Sequence, residues 1–160
     1  TGIDPRRLVL EITETNAITN FETVRETVLR LRSLGCRVAL DDFGAGFNSF
    51  RYLRELPVDY LKLDGSFISN LNSDPADQVL VRSMTEIARA LGKQTIAEFV
   101  DSPALLPTLE ELGVDHVQGN FIGPAAPRMV RESDLPAELD PVNESARLAG
   151  RDRAALGLKP

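Results

Sequence analysis

The sequence predicts an α/β fold built on a parallel sheet. Short apolar runs alternate with helical stretches, and each run closes on a polar or charged residue. We predict strands over 8–11, 38–42, 60–63, 95–98 and 115–118. Strands buried on both faces read as continuous apolar runs, and the functional groups of α/β barrels lie at the carboxyl ends of the strands. We therefore expect the strand ends to form one site.

The helix between the first two strands is predicted by its apolar spacing. Phe21, Val24, Val28 and Leu31 recur every three or four residues, which places them on one face of a helix. Gly35 follows as a C-terminal stop signal. The first two strands are thus predicted to form a βαβ unit.

The later helices begin and end at local signals. A short helix over 49–56 ends before a proline and connects the second and third strands. Two longer helices each open with a cap residue and a proline and end at a glycine: Asp74-Pro75 to Gly92, and Ser102-Pro103 to Gly113. Because a strand follows each glycine, right-handed crossovers are expected.

The regular alternation stops near residue 127. We predict one α/β domain over 1–127 and a tail or peripheral helix over 128–160, with helical potential at 143–156. Five strands cannot close a (β/α)₈ barrel, which needs roughly 250 residues. The alternatives are an open five-stranded sheet or the last five βα units of an incomplete barrel. The early first strand, with no helix before it, favours the incomplete barrel.

Composition sets mild bounds on function. The net charge of −6 argues against binding a nucleic-acid polymer, although a metal-bridged phosphate ligand needs no basic surface. Cys36 is the only cysteine, so no disulfide framework exists and a reducing compartment is expected. No apolar stretch reaches the ~18–20 residues of a membrane span. We expect a cytoplasmic domain without a membrane segment.

The second strand ends on the pair Asp41-Asp42, with a glycine-containing loop after it. Adjacent carboxylates repel one another unless cations neutralise them. Glu11 and Glu98, at other strand ends, offer further oxygens, and an all-oxygen ligand set suits Mg²⁺ or Mn²⁺. Two such ions about 4 Å apart would activate water for phosphoryl displacement. Lys62 would then orient that water or offset negative charge in the transition state.

Other roles are open for these residues. A strand-end carboxylate is more often a helix cap or a loop contact than a ligand. Lys62 has an alternative role as a Schiff-base amine, which neighbouring carboxylates disfavour because they raise the pKa of a lysine. His116 is expected to be a packing residue, and Asp59 and Asp115 are expected to be turn residues before their strands.

Five motifs occur in one order and spacing: Glu11-Ile12-Thr13-Glu14, Asp41-Asp42-Phe43-Gly44-Ala45-Gly46-Phe47, Lys62-Leu63-Asp64-Gly65-Ser66-Phe67, Ala97-Glu98-Phe99-Val100 and Gln118-Gly119. Together they resemble the EAL domain, a family of cyclic di-GMP phosphodiesterases on a modified TIM-type barrel. The resemblance covers roughly residues 3–127. It implies that this chain supplies about the last five βα units of such a barrel.

The resemblance also implies roles for individual residues. It implies metal ligands at Glu11, Asp41, Asp42 and Glu98, catalytic roles for Lys62 and Glu98, and contacts to the substrate or to the ligands from Gln118 and Asp64. Glu14 would stabilise the loop over 41–47, which couples the site to a dimer interface. Cyclic di-GMP as substrate, a two-metal site with Mg²⁺ or Mn²⁺, and a homodimer are therefore expected.

The chain departs from the family pattern at several places. The Glu-Ala-Leu motif and a metal-binding asparagine lie on early strands that this sequence lacks. Asp101 stands where a glutamate is usual, and Asn120 replaces a common aromatic residue. Three hypotheses follow: a phosphodiesterase in the intact domain, a receptor that binds the dinucleotide without cleaving it, or a structural fragment with neither property. We expect the 160-residue chain alone to be inactive.

Overall fold

The computed structural model describes residues 2–45, 50–123 and 125. Its five strands are β1 (Val9–Thr13), β2 (Arg37–Phe43), β3 (Tyr60–Leu63), β4 (Gln94–Ala97) and β5 (His116–Val117). They form one sheet in the order β1-β2-β3-β4-β5, and every neighbouring pair is parallel. The parallel sheet predicted from the apolar runs is therefore confirmed, with strand ends that differ by a few residues from the predicted ones.

Helices connect the strands at the places that the sequence indicated. They are α1 (Glu14–Thr19), α2 (Phe21–Ser33), α3 (Phe50–Glu55), α4 (Gly65–Ile68), α5 (Pro75–Ala90) and α6 (Leu106–Glu111), with 3₁₀ turns at Pro5–Arg7 and Pro103–Leu105. Asp74 caps α5 through a bond from the Ala76 amide at 2.8 Å, as predicted from its proline-containing start. The short helices α1 and α4 were not predicted.

The core lies between the sheet and the helices. Fully buried strand residues such as Leu40, Leu61 and Leu63 share one hydrophobic cluster with Val28 of α2 and Val81 of α5. Side chains alternate along a strand, so Lys62 points to the opposite face from Leu61 and Leu63. That opposite face carries the polar strand-end groups.

Two aspartates stabilise the amino-terminal edge of the sheet by hydrogen bonds to the backbone of neighbouring strands. The Asp59 carboxylate, just before β3, accepts a hydrogen bond from the Val38 amide at 2.9 Å. The Asp115 carboxylate, just before β5, accepts one from the Thr95 amide at 2.8 Å. Both residues precede their strands, as expected, and each also ties its strand to the neighbouring one.

The outer edge of β1 is apolar and exposed. Leu8, Val9 and Leu10 are 40%, 46% and 37% exposed. In the described parts of the chain β1 is a terminal strand of the sheet. The predicted boundary at 127 and the helical potential at 143–156 lie outside the described residues. Within the described residues, no helix has the length and apolar character needed to cross a membrane.

Candidate active site

An irregularity at the end of β2 brings the paired aspartates together. The register between β2 and β3 shifts between Leu40 and Phe43, and Asp42 adopts a left-handed backbone conformation with φ of 59°. Neighbouring side chains on a regular strand would point to opposite faces. At this bulge, carboxylate oxygens of Asp41, Asp42 and Glu98 all lie within 4.8 Å of one another.

Lys62 lies at the centre of the strand-end carboxylates. Its Nζ is 2.8 Å from Asp41 Oδ1, 2.8 Å from Glu98 Oε1 and 3.0 Å from Glu11 Oε2, and its side chain is only 3% exposed. Burial alone would lower the pKa of Lys62, but hydrogen bonds to Asp41, Glu98 and Glu11 outweigh burial and raise that pKa above its ordinary value. The side chain is therefore a fixed ammonium, which disfavours the Schiff-base role.

Glu98 lies just beyond the end of β4 and is buried. Burial raises its pKa, the ammonium of Lys62 opposes that shift, and the neighbouring Asp41 adds to it, so that the pKa is raised on balance. Phe99 follows with a left-handed backbone, φ of 53°. As at Asp42, the chain turns sharply where a site carboxylate leaves its strand.

The residues present fit a divalent cation. Asp41 Oδ1 is buried, and the Lys62 ammonium lies 2.8 Å from it. One ammonium neutralises a single negative charge, whereas three carboxylates cluster here, and closely spaced carboxylates repel one another unless further positive charge neutralises them. The neighbouring donors are carboxylate oxygens, which are the ligands that Mg²⁺ and Mn²⁺ prefer.

Glu11 lies at the margin of this cluster. Its carboxylate contacts Lys62, but its side chain is 46% exposed, and it is not in the group of oxygens that lie within 4.8 Å of one another. The structure thus places Glu11 at the same strand edge as Asp41, Lys62 and Glu98, through the shared ammonium.

The buried Glu14, the first residue of α1, contacts the start of the loop after β2. Its Oε2 accepts a hydrogen bond from the Gly44 amide at 3.4 Å, and its Oε1 accepts one from the Tyr52 hydroxyl. The predicted contact between Glu14 and the loop over 41–47 is therefore present at Gly44. Tyr52 had no predicted role, because a contact across 38 residues leaves no local pattern in the sequence.

The remaining predicted site residues lie at the same edge with other contacts. Asp64 caps α4 by accepting a hydrogen bond from the Ser66 amide at 2.8 Å. Gln118 is exposed. Its amide donates a hydrogen bond to the Ala97 carbonyl at 2.8 Å, and its carbonyl accepts one from the Val100 amide at 3.0 Å. His116 packs edge-on against Tyr60, with ring centroids 5.6 Å apart, as its predicted packing role requires.

The family model of the EAL domain matches residues 1–125. The chain belongs to the EAL domain family. It is 46% identical over 117 residues to cyclic di-GMP phosphodiesterase PdeB of Shewanella oneidensis, an alignment that covers 73% of this chain and 14% of PdeB. It is 38% identical over 144 residues to cyclic di-GMP phosphodiesterase PdeF of Escherichia coli, with 90% of this chain and 19% of PdeF covered.

Solved EAL domains share the fold. The crystal structure of the Xanthomonas citri FimX EAL domain in complex with c-di-GMP superposes with a TM-score of 0.75 at 31% identity, over 82% of this chain and 52% of that one. The EAL domain of Mycobacterium smegmatis DcpA gives 0.68 at 39% identity, over 74% and 53%. The chain therefore spans about half of a solved EAL domain, and the predicted partial TIM-type barrel is confirmed.

Proposed function

We propose that the intact domain is a metal-dependent phosphodiesterase that hydrolyses cyclic di-GMP to linear pGpG, and that this chain carries the C-terminal part of its active site. The observation that carries the proposal is the buried ammonium of Lys62, held within 3.0 Å of carboxylates from three different strands or the residue just after one: Glu11 of β1, Asp41 of β2 and Glu98 after β4. The similarity of this chain to the cyclic di-GMP phosphodiesterases PdeB and PdeF supports the same activity.

The candidate ligands for Mg²⁺ or Mn²⁺ are Glu11, Asp41, Asp42 and Glu98. When bound in pairs, such ions lower the pKa of water and stabilise charge on a phosphoryl group during in-line displacement. In the hydrolysis, a water oxygen bonds to one phosphorus and loses a proton. The bond from that phosphorus to the 3′ oxygen breaks, and the 3′ oxygen takes up a proton to become a hydroxyl, which opens the ring. The residues of this chain hold the water, its proton and the growing negative charge.

Lys62 and Glu98 are the proposed catalytic residues. The ammonium of Lys62 is fixed and positive at neutral pH, so it suits orienting the attacking water or offsetting negative charge on the phosphoryl oxygens. The raised pKa of Glu98 suits a carboxylate that accepts the proton of that water. Gln118 and Asp64 are proposed to contact the substrate or to support the ligands, and Glu14 to stabilise the loop over 41–47.

A second candidate is a receptor that binds cyclic di-GMP without cleaving it. The Xanthomonas citri FimX EAL domain in its complex with c-di-GMP supports this candidate, because that EAL domain holds the dinucleotide. For the 160-residue chain by itself we further propose association as a homodimer, supported by the exposed apolar edge at Leu8, Val9 and Leu10. The single cysteine supports a reducing compartment, and the proposed location is the cytoplasm.

The deciding experiment measures formation of pGpG from cyclic di-GMP, with added Mn²⁺, by a chain that carries the complete barrel. We expect turnover by the parent sequence and none by Asp41→Asn, because that change removes both a candidate ligand and an ion-pair partner of Lys62. Glu86→Gln, an exposed carboxylate on α5, is the matched control and should keep normal turnover. Binding of cyclic di-GMP without pGpG would establish the receptor instead, and normal turnover by Asp41→Asn would contradict the proposed site.

A further inference from the structure

Glu14 is a buried charge whose described partners are neutral. It is 3% exposed, and no described lysine or arginine forms an ion pair with it. A buried carboxylate is costly unless donors satisfy its oxygens. One oxygen receives the Gly44 amide and the other receives the Tyr52 hydroxyl. Removing either donor would leave the carboxylate only half satisfied.

Gly44 connects the Glu14 carboxylate, through the backbone, to the candidate metal ligands Asp41 and Asp42. It follows Asp42 by two residues and has a left-handed backbone with φ of 102°. A Cβ atom added there would lie 2.9 Å from the Phe67 ring and 3.0 Å from Met84 Sδ. Packing therefore confines the Gly44 backbone on one side, and the Glu14 carboxylate holds its amide.

Tyr52, a residue of α3, is the second donor to Glu14. Its side chain is half-buried, and its hydroxyl donates to Glu14 Oε1. Burial, and then the adjacent carboxylate, raise the pKa of Tyr52, so the phenol stays protonated across the neutral range. The carboxylate is thus held between α3 and the Gly44 amide.

We propose that Tyr52 is a positioning residue of the active site: it orients the Glu14 carboxylate for the Gly44 amide and thereby fixes the backbone that carries Asp41 and Asp42. The kinetic part of this inference rests on the proposed phosphodiesterase function. The structural part, which concerns the Gly44 amide, is independent of it.

The test compares Tyr52→Phe with Tyr60→Phe in a chain that carries the complete barrel. Tyr60 is the control for losing a hydrogen-bonded hydroxyl, because its side chain is buried and its hydroxyl accepts a hydrogen bond from Arg37 at 2.6 Å, at the amino-terminal edge of the sheet. Tyr52→Phe should lower kcat and raise the half-saturating Mn²⁺ concentration, each by about 10- to 100-fold, as loss of a group that orients a ligand does. The KM for cyclic di-GMP should change little, and Tyr60→Phe should change none of the three.

A second readout needs no catalysis. Amide hydrogen exchange at Gly44, measured without metal, should accelerate at least about tenfold in Tyr52→Phe and stay unchanged in Tyr60→Phe. Without the Tyr52 hydroxyl the Glu14 carboxylate is no longer oriented towards the Gly44 amide, which lowers local protection of that amide. Glu14→Gln should produce the same acceleration, and it carries the test if Tyr52→Phe does not fold. The double variant should be no worse than Glu14→Gln alone, since both changes act on one contact.

The outcomes separate the two proposals. If the complete barrel without substitutions forms no pGpG, the phosphodiesterase proposal fails. Gly44 exchange and Mn²⁺ binding then still decide the role of Tyr52. If the parent is active but Tyr52→Phe retains normal Gly44 exchange and Mn²⁺ dependence, the positioning role is refuted. Multiplicative losses in the double variant would also refute it, because they would mean that Tyr52 acts independently of Glu14.

Discussion

Lys62 places one positive charge among carboxylates that would otherwise repel one another. Asp41 and Glu98 are its more buried partners, and the half-exposed Glu11 contributes less because solvent screens it. A buried ion group of this kind is stable only while its members remain paired. The arrangement therefore keeps the acidic oxygens close together at the strand ends, and it holds an ammonium beside the proposed reaction centre.

Replacing Lys62 by alanine should separate catalysis from binding. In a chain with the complete barrel, we expect kcat for cyclic di-GMP to fall about 10²- to 10³-fold, the usual cost of removing one preorganised electrostatic group. The Kd of the dinucleotide should change by no more than a few-fold, because the proposed partner of Lys62 is the water. Kinetics and calorimetric titration would measure the two quantities.

Lys93→Ala is the control for losing a buried lysine. Lys93 Nζ donates to the carbonyls of Leu56 and Val58 at 2.8 and 3.2 Å, away from the carboxylate cluster. Its loss should lower thermal stability and leave kcat per folded molecule unchanged. A Lys62→Ala variant with normal kcat, or one with lost binding and intact kcat, would disprove the assigned role.

Residues at strand ends could be predicted from the sequence, and residues that act across the fold could not. Asp41 and Glu98 terminate apolar runs, and Lys62 lies one residue before the end of its strand. Parallel strands align their carboxyl ends, so the positions of these residues in the sequence were enough to predict that they lie together. Tyr52 contacts Glu14 across 38 residues of sequence, a contact that only the folded chain creates. The sequence left open whether Asp64 is a helix cap or a residue of the site. The structure shows that its carboxylate caps α4 by accepting a hydrogen bond from the Ser66 amide.

At the scale of elements, the strand ends depend on unusual backbone geometry. Asp42 and Phe99 are the described non-glycine residues with positive φ, and each lies at a site carboxylate. Such conformations cost about 1–3 kcal/mol each and persist where the surroundings hold them. Neither the bulge in β2 nor the short helices α1 and α4 could be predicted, because helices of this length are stabilised by tertiary contacts rather than by their own sequence.

Two glycines allow the segment after Glu98 to pack closely, and the same substitution should affect them differently. A Cβ at Gly119 would lie 2.3 Å from the Val100 amide nitrogen, whereas one at Gly65 would lie 2.3 Å from the Phe99 ring. The Val100 backbone is held by hydrogen bonds with Gln118 and Phe121, but the Phe99 ring is 60% exposed and has room to turn away. Gly119→Ala should therefore be the more disruptive change.

We expect Gly119→Ala to lower the free energy of unfolding by about 1–3 kcal/mol, the range for overpacking, and Gly65→Ala to lower it by less than half as much. Urea unfolding of the complete barrel would measure both. Gly92→Ala gives a contrasting cost, because Gly92 has φ of 69° and open space around its Cα, so that change reports left-handed backbone strain without a clash. Equal losses at Gly119 and Gly65 would show that the Val100 backbone yields as easily as a side chain.

Across the whole molecule, the two edges of the sheet have different roles. The carboxyl edge gathers charged groups around Lys62, and the amino edge is tied by Asp59 and Asp115 to the backbone of adjacent strands. Division into a functional and a stabilising edge is general for α/β barrels. Five apolar runs were enough to predict the parallel sheet, but sequence patterns alone left open whether it was an open sheet or part of a barrel. The superposition on solved EAL domains decided for the barrel.

The half-barrel geometry leads to a prediction about the 160-residue chain by itself. The outer edge of β1 presents backbone donors and acceptors beside the exposed Leu8, Val9 and Leu10, and such an edge pairs readily with another strand. We expect concentration-dependent self-association in sedimentation experiments, a broad thermal transition and no formation of pGpG. A lysine on an edge strand opposes pairing, so Val9→Lys should reduce the association.

Leu29→Lys is the matched control for that charge, because Leu29 of α2 is 45% exposed, against 46% for Val9, but lies on a helix. If pairing through β1 drives the association, Val9→Lys should shift the chain towards monomer while Leu29→Lys leaves the sedimentation profile unchanged. Equal effects of the two lysines would mean that net charge, not the strand edge, controls the association. A monomeric parent chain with a sharp thermal transition would mean that the exposed edge of β1 is stable without a partner strand.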